Sequence, residues 1–437
     1  MPMPTEKLKA TLKAKPHYAL ALAAVFHLMI TLSVFTAGRL GVAPQKIDRD
    51  GIGDFASDGH IHKPIMDALV GTLKQGEIGA WIHSKETFHV KLFSLIGLVT
   101  EPLVGSNILT IEPLNLLSYL AILSLTFTLA RIVAGWRAAW LATLIIAFWP
   151  SLVLHSTQFL RDPLVIMAVL TLITLTVLIL KNKLNWQRAT GSVFAGTAAI
   201  YLAWHTRPEM WLVVTAIIFV AALLLLIKIA VTRKILAANL VAMAALAVLS
   251  IGMPRPAVGV VSMPLFSAVS NPEAKTVTAA MPSVWGRVAV ARERFIIYGR
   301  GAGSVIDESV SFNSPGEIVR YVPRALEIGY FAPFPSLWFT ASKKVGLVGR
   351  IVSGVEMTLT YLFEALACLF VWQNRRQFSS WLLVLATLIG MLALGLVITN
   401  VGTLYRVRYP FWIPIVVMAA SFLAAKFFTG SREPAKQ

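Results

Sequence analysis

A succession of apolar runs, each close to the roughly 20 residues a helix needs to cross the hydrocarbon core of a bilayer, limits what this chain can fold into. They lie at residues 18–37, 114–130, 138–159, 164–180, 190–204, 210–227, 235–253, 351–372, 381–398 and 409–428. Inside a bilayer no water bonds the backbone, so such segments close their N–H and C=O groups internally, as helices. Composition agrees: 57% of the residues are hydrophobic and 14% charged, against roughly a quarter charged in soluble domains. The expected architecture is an all-α polytopic membrane protein of about ten transmembrane helices.

The formal net charge of +18 is not spread evenly. Lysine and arginine gather between the runs, at Arg131 and Arg137, at Lys181, Lys183 and Arg188, at Lys228, Arg233 and Lys234, and at Arg375 and Arg376. Counting spans from an N-terminus that carries Lys7, Lys9, Lys13 and Lys15 puts each of these clusters on one face, as cytoplasmic loops require. Both termini are therefore expected in the cytoplasm. Charge distributed in this way excludes nucleic acid as the partner. The run 18–37 is longer than the roughly 7–15 residues of a signal-peptide core and is followed by further spans, so it reads as a retained helix. Cys368, the single cysteine, lies within an apolar run and excludes a disulfide or a thiolate metal cluster.

This reading divides the chain into an N-terminal membrane module (1–253) with an acidic first external loop (38–88), a second extracytoplasmic region (254–350) and C-terminal transmembrane helices (351–437). Within the second region, residues 330–339 are apolar but interrupted by Pro333 and Pro335, which suits an interfacial or re-entrant piece. Arg292, Arg294, Arg300, Arg320, Arg324, Lys343, Lys344, Arg350, Arg406 and Arg408 all fall outside. Long loops are translocated regardless of charge, so these residues call for another explanation.

Chemistry concentrates between Arg39 and Glu86, where Asp48, Asp50, Asp54, Asp58, Asp67, Glu77 and Glu86 are interleaved with His60, His62 and His83. The bland reading is a solvated loop. Against it, these are 7 of only 21 acids in the chain, and the stretch is flanked by membrane. Asp58 is the preferred candidate and Asp54 the second. Ser57-Asp58-Gly59 directly precedes a segment, 60–74, whose Ile61, Ile65, Ala68, Leu69 and Leu73 have helical spacing, so its carboxylate would stand at a helix start. Asp58, His60 and His62 alternate as a divalent-cation site on extended backbone would require; that is the metal reading of the same residues.

Two basic positions complete the picture. Arg161-Asp162-Pro163 forms a corner between apolar runs, as an ion pair or helix cap on the bland reading and as a cavity-lining charged pair on the functional one. Arg406 and Arg408, in Tyr405-Arg406-Val407-Arg408-Tyr409-Pro410, read either as interface anchors or as guanidinium groups holding a phosphate. Arg207, Arg320 and Arg324 are weaker instances, and His155 reads as a satisfied interior histidine.

An acidic loop after the first helix, Phe148-Trp149-Pro150-Ser151 running into Arg161-Asp162, and a late basic motif together resemble the GT-C superfamily of polytopic glycosyltransferases. The resemblance covers 18–180 best. The family's acidic first-loop motif falls on Asp58 or Asp54, without the usual Asp-Glu pair followed by Tyr, and its His-Pro-Pro stretch falls on His89-Val90-Lys91-Leu92, without the prolines. Pro323-Arg324, Ala332-Pro333-Phe334-Pro335 and the segment 400–408 resemble membrane proteins that accompany bacterial exopolysaccharide synthesis. The resemblance implies sugar transfer from a polyprenyl-phosphate donor to a glycan or lipid acceptor on the outer face of the bacterial inner membrane. Asp58 or Asp54 would be catalytic, Arg406, Arg408, Arg161 and Arg207 would hold the donor phosphate, and Asp162, His60, His89 and Arg324 would support them. Membrane lipid is the remaining partner, and no cofactor beyond a divalent cation is implied. The rival readings are a polymerase or ligase acting on polyprenyl-pyrophosphate glycans, and a flippase or transporter, for which Glu356 and Glu364 would be the mid-span charges. The sequence carries no Walker-type or dinucleotide glycine motif.

Overall fold

Among the described residues the long apolar runs are helical. The computed structural model describes residues 16–254, 283–299, 304–342 and 345–427. Arg300, Lys343, Lys344 and the N-terminal lysines, singled out above, lie outside the described residues. In order the helices are α1 (Pro16–Leu40), α2 (Gly59–Lys74), α3 (Ile78–His83), α4 (Phe88–Val104), α5 (Glu112–Ala134), α6 (Trp136–Ala147), α7 (Pro150–Ser156), α8 (Asp162–Lys181) and α9 (Trp186–Thr206). They continue with α10 (Trp211–Thr232), α11 (Ala237–Gly252), α12 (Val284–Gly299), α13 (Pro315–Phe331), α14 (Gly346–Gln373), α15 (Phe378–Val397), α16 (Val401–Val407) and α17 (Tyr409–Phe427). Among the described residues no strand forms, only isolated bridges such as Ile47 with Gly53. The protein is an all-α polytopic membrane protein.

Among the described residues seven helical segments are long and apolar enough to cross a membrane, eight if the bent pair α6–α7 is one span. This is fewer than the ten expected, and each difference has a local cause. α6 and α7 meet at 64° because Pro150 lacks an N–H and disfavours helical geometry at the residue before it. α11 has 16 residues, about 24 Å at 1.5 Å each, short of a core about 30 Å thick. α9 is long enough, but Thr190, Gly191, Ser192, Gly196 and Thr197 dilute its apolar character.

The described residues cluster into two compact units, one within 1–84, 90–163 and 420–437, the other within 85–89 and 164–419. The division falls at the head of α8. In the first unit α1, α5 and α7 pack on one another, and Ile52, Met66, Val70, Phe93, Ile108 and Phe159 form a core beside them. The loop after α1 comes so close that a Cβ on Gly38 would run into the Asp48 carbonyl.

In the second unit α9 and α10 pack on α11, and α13 lies along α15. Two glycines make the α13–α15 approach. Gly329 faces the Met391 backbone, and Gly395 faces the Ala325 carbonyl. A backbone carbonyl in a helix cannot swing aside as a side chain can. Gly395→Ala is therefore expected to lower stability by roughly 1–3 kcal/mol or more, read as a fall in the thermal midpoint of the purified protein. The buried Asn239 ties off the end of α8, donating to the Ile179 and Asn182 carbonyls at 2.5 and 2.6 Å and accepting from Leu184 N–H at 3.0 Å.

Candidate functional site

The acidic stretch folds into two small arrays and one cluster, all in the first unit. Asp48 Oδ1 accepts the N–H groups of Asp50 and Ile52, at 2.9 and 2.8 Å, and so shapes a tight loop in which Gly51 takes φ +83°. His60, on the first turn of α2, sits between carboxylates, with Nδ1 3.4 Å from Asp48 and Nε2 3.8 Å from Asp54. Lys63 bridges Asp50 and Asp67 at 3.2 and 3.1 Å. Burial works against its charge, but the hydrogen bonds to Asp67 and Asp50 outweigh it and hold its pKa above the ordinary lysine value.

Behind this loop stands Gln158, fully buried, which accepts from Gly53 N–H at 2.9 Å and donates to the Gly51 carbonyl at 3.3 Å. Its own carbonyl accepts from Asn115 at 3.2 Å. An amide with both ends bonded fixes the loop against the segment that runs into Arg161. Nothing in the local sequence marks Gln158; only the pairing across 105 residues gives it a role.

The cluster forms where α2 meets that segment. α2 starts at Gly59, as its spacing predicts, and Asp58 holds the N-cap position without a side-chain capping bond. One turn on, His62 Nδ1 lies 2.8 Å from the Phe159 carbonyl. A carbonyl only accepts, so Nδ1 carries the proton and Nε2 is the basic nitrogen of the neutral ring. Burial lowers the His62 pKa, and the Arg161 charge lowers it further. The Phe159 carbonyl, Asp58 and Asp162 act in the other direction without overcoming burial. The charges of the first-loop acid and of the Arg161–Asp162 corner thus all act on one imidazole. Asp162 is itself buried at the first position of α8.

The divalent-cation reading of Asp58, His60 and His62 needed an extended backbone, and the structure replaces it with a helix. His60 faces Asp48 and Asp54 while His62 faces Phe159. Among the described residues no group of three potential ligands is placed to hold a metal.

The other sequence candidates lie in the second unit and are engaged there. Arg406 and Arg408 are 5% and 2% exposed, so neither is an interface anchor reaching for the bilayer surface. Arg408 donates to the Ala332 carbonyl at 2.7 Å, closing the C-terminal end of α13 as a cation does well. It also contacts Met357 and stacks 4.6 Å from the Tyr405 ring. The Tyr405 hydroxyl donates to Glu356. Arg207 is buried 3.9 Å from Glu209. His89 is buried with Nε2 3.4 Å from the Thr87 hydroxyl. Arg320 is exposed.

Arg324 belongs to a network that the sequence did not reveal. It grips Asp307 through Nε and Nη2, at 2.9 and 3.1 Å, and bonds Glu327 at 2.9 Å. The Tyr321 hydroxyl donates to Asp307 at 2.7 Å. The Arg324 bonds hold the Asp307 carboxyl below the ordinary range, against the effect of burial, and Tyr321 adds to them. Burial, with Asp307 next, pushes the Tyr321 hydroxyl up to about 12. A carboxyl depressed on folding contributes stability that is fully present above its unfolded value and is lost as pH falls through the folded value. A thermal-midpoint scan from neutrality to about pH 2 should show that loss, and Arg324→Gln should flatten it.

The first unit holds a second buried network. His27 Nδ1 lies 2.9 Å from Glu112 and Nε2 2.9 Å from the Ser156 hydroxyl, while Thr31 donates to the other Glu112 oxygen at 3.0 Å. It joins α1, α5 and α7. A histidine in the middle of an apolar run was the available signal.

No protein-family model, curated protein or solved structure matches the chain.

Proposed function

We propose that the protein transfers a sugar from a polyprenyl-phosphate donor to a glycan or lipid acceptor at the extracytoplasmic face of the bacterial cytoplasmic membrane, in surface-polysaccharide assembly. The observation that carries this reading is the bond from His62 to the Phe159 carbonyl, 97 residues away, which ties the helix headed by Asp58 to the segment that runs into Arg161 and Asp162. Transfer to a hydroxyl needs a base for the acceptor proton and a cation for the charge that grows on the departing phosphate. Asp58 is the base and Arg161 the phosphate contact. His62 and Asp162 position them, and Asp54, held near His60, lies outside the reacting pair. Arg406 and Arg408 are left with structural roles, because their guanidinium groups are enclosed in the second unit.

The test is direct. The purified full chain is given a radiolabelled polyprenyl-phosphate sugar and a membrane glycan extract, and label should move to the acceptor. Intact donor and unlabelled acceptor after prolonged incubation would overturn the reading, and transfer from a pyrophosphate-linked oligosaccharide alone would replace it with the polymerase or ligase reading. A second reading, movement of a lipid-linked glycan across the bilayer, draws on Glu356 and Glu364 within α14. It predicts labelled donor on the opposite face of a vesicle without covalent transfer.

A further inference from the structure

Five arginines are buried among the described residues, Arg207, Arg292, Arg350, Arg406 and Arg408. A guanidinium keeps its charge in any protein environment, so each needs acceptors or a counter-charge when water is withdrawn. Arg292 has four acceptors, Arg408 has the Ala332 carbonyl, Arg207 has Glu209, and Arg406 is also engaged. Arg350 is the exception. It is 6% exposed, and among the described residues its guanidinium has no hydrogen bond and no ion pair.

The position of Arg350 gives its charge a direction. Arg350 lies in the first turns of α14, a helix of 28 residues. Helical side chains lean toward the N-terminus, so Arg350 leans over the end where unpaired N–H groups and the helix dipole already favour an anion. No side chain caps this end, since Val345 holds the N-cap position. Gly346 takes φ +66° there, its N–H is bonded to the Ser342 carbonyl at 2.9 Å, which leaves the N–H groups of Leu347 and Val348 as the open donors, and among the described residues a Cβ on Gly346 would meet nothing within 4 Å. Residues 346–352 contain no acid, and Glu356 further along is bonded to Tyr405. A buried cation, an uncapped helix end and open room beside it coincide, and each is what a bound anion would satisfy.

We propose that the head of α14 is a binding site for a phosphate or phosphate ester, with Arg350 as its charged ligand. The site is independent of the sugar-transfer reading and stands if that reading fails. The planar fork of arginine suits two phosphate oxygens at once, and the helix end supplies backbone N–H donors. The source is either the headgroup of an anionic phospholipid, at the end of an apolar helix, or a soluble phosphate.

The experiment compares the full-length protein in phosphatidylcholine vesicles, in vesicles containing phosphatidylglycerol, and in phosphatidylcholine with inorganic phosphate, reading the thermal midpoint and the amount of probe bound. The wild type should be stabilised in at least one of the two anionic conditions. Stabilisation by phosphatidylglycerol alone identifies a lipid headgroup; stabilisation by inorganic phosphate identifies a soluble ligand. Arg350→Met should bind the effective probe about 10- to 100-fold more weakly, as loss of a charge-assisted bond implies, and should lose the midpoint shift. In phosphatidylcholine alone its midpoint should equal or exceed that of the wild type, because an uncompensated buried charge has been removed. Arg350→Lys should keep part of the response. The proposal is overturned if neither probe shifts the wild type, if Arg350→Met keeps the full shift, or if Arg350→Met is strongly destabilised without anion.

Discussion

Asp58→Asn is expected to abolish transfer of labelled sugar while leaving the protein folded in membranes. The substitution keeps the shape of the side chain and removes its ability to take a proton, and general-base catalysis contributes about 10²–10⁴-fold in rate. Folding should be spared because Asp58 makes no side-chain capping bond at the start of α2 and is only partly buried. Initial rates of label transfer and the thermal midpoint, taken on the same preparation, separate the two effects. Asp54→Asn serves as the comparison, since that carboxylate stands 3.8 Å from His60 and outside the His62 cluster, and it should change the rate little. Retained activity in Asp58→Asn would sink the assignment, and loss of activity in Asp54→Asn would transfer the role to that residue.

Arg292→Met should be among the most destabilising single substitutions in the second unit. Arg292 is 1% exposed and donates to the carbonyls of Val310, Leu396 and Asp307 and to the Tyr321 hydroxyl, at 2.8, 3.1, 3.1 and 3.2 Å. Its guanidinium also lies 5.1 Å from the Phe312 ring and 4.7 Å from that of Tyr321. One side chain therefore joins α12, the 307–312 loop, α13 and the end of α15. Methionine would fill much of the volume but leave those acceptors without a donor, and breaking such a buried arrangement costs about 3–5 kcal/mol. The measurement is the fraction of folded protein recovered from membranes and its thermal midpoint. A midpoint within a degree or two of wild type would refute the network's importance. The contrast with Arg350→Met is the sharper test: two arginines of similar burial should give opposite signs because one has acceptors and the other, among the described residues, has none.

Parts of this arrangement were legible before the structure. The helix of residues 60–74 and the position of Asp58 at its head followed from apolar spacing, and α2 runs from Gly59 to Lys74. The corner at Arg161-Asp162 was visible as charge between two apolar runs, and α8 begins at Asp162. The burial of Arg406 and Arg408 was not legible, because a basic motif between tyrosines at the end of a hydrophobic run looks the same whether it faces the bilayer surface or turns inward. In the structure Arg408 turns inward to the end of α13. Gln158 and Arg292 carry no local signature, since each is tied to a partner about 100 residues away, Gly53 at 105 and Leu396 at 104.

Residence in a membrane and the placement of the helices were determined by the sequence itself. Hydrocarbon forbids an unbonded backbone, and that demand acts on each apolar run separately. The pairing of the charges was decided only by tertiary structure. A buried carboxylate or guanidinium takes its partner from whatever the packing brings within about 3 Å, and packing joins residues that no sequence interval relates. That is why His62 finds Phe159, Arg292 finds Leu396, and Arg350 finds no partner among the described residues at the head of α14.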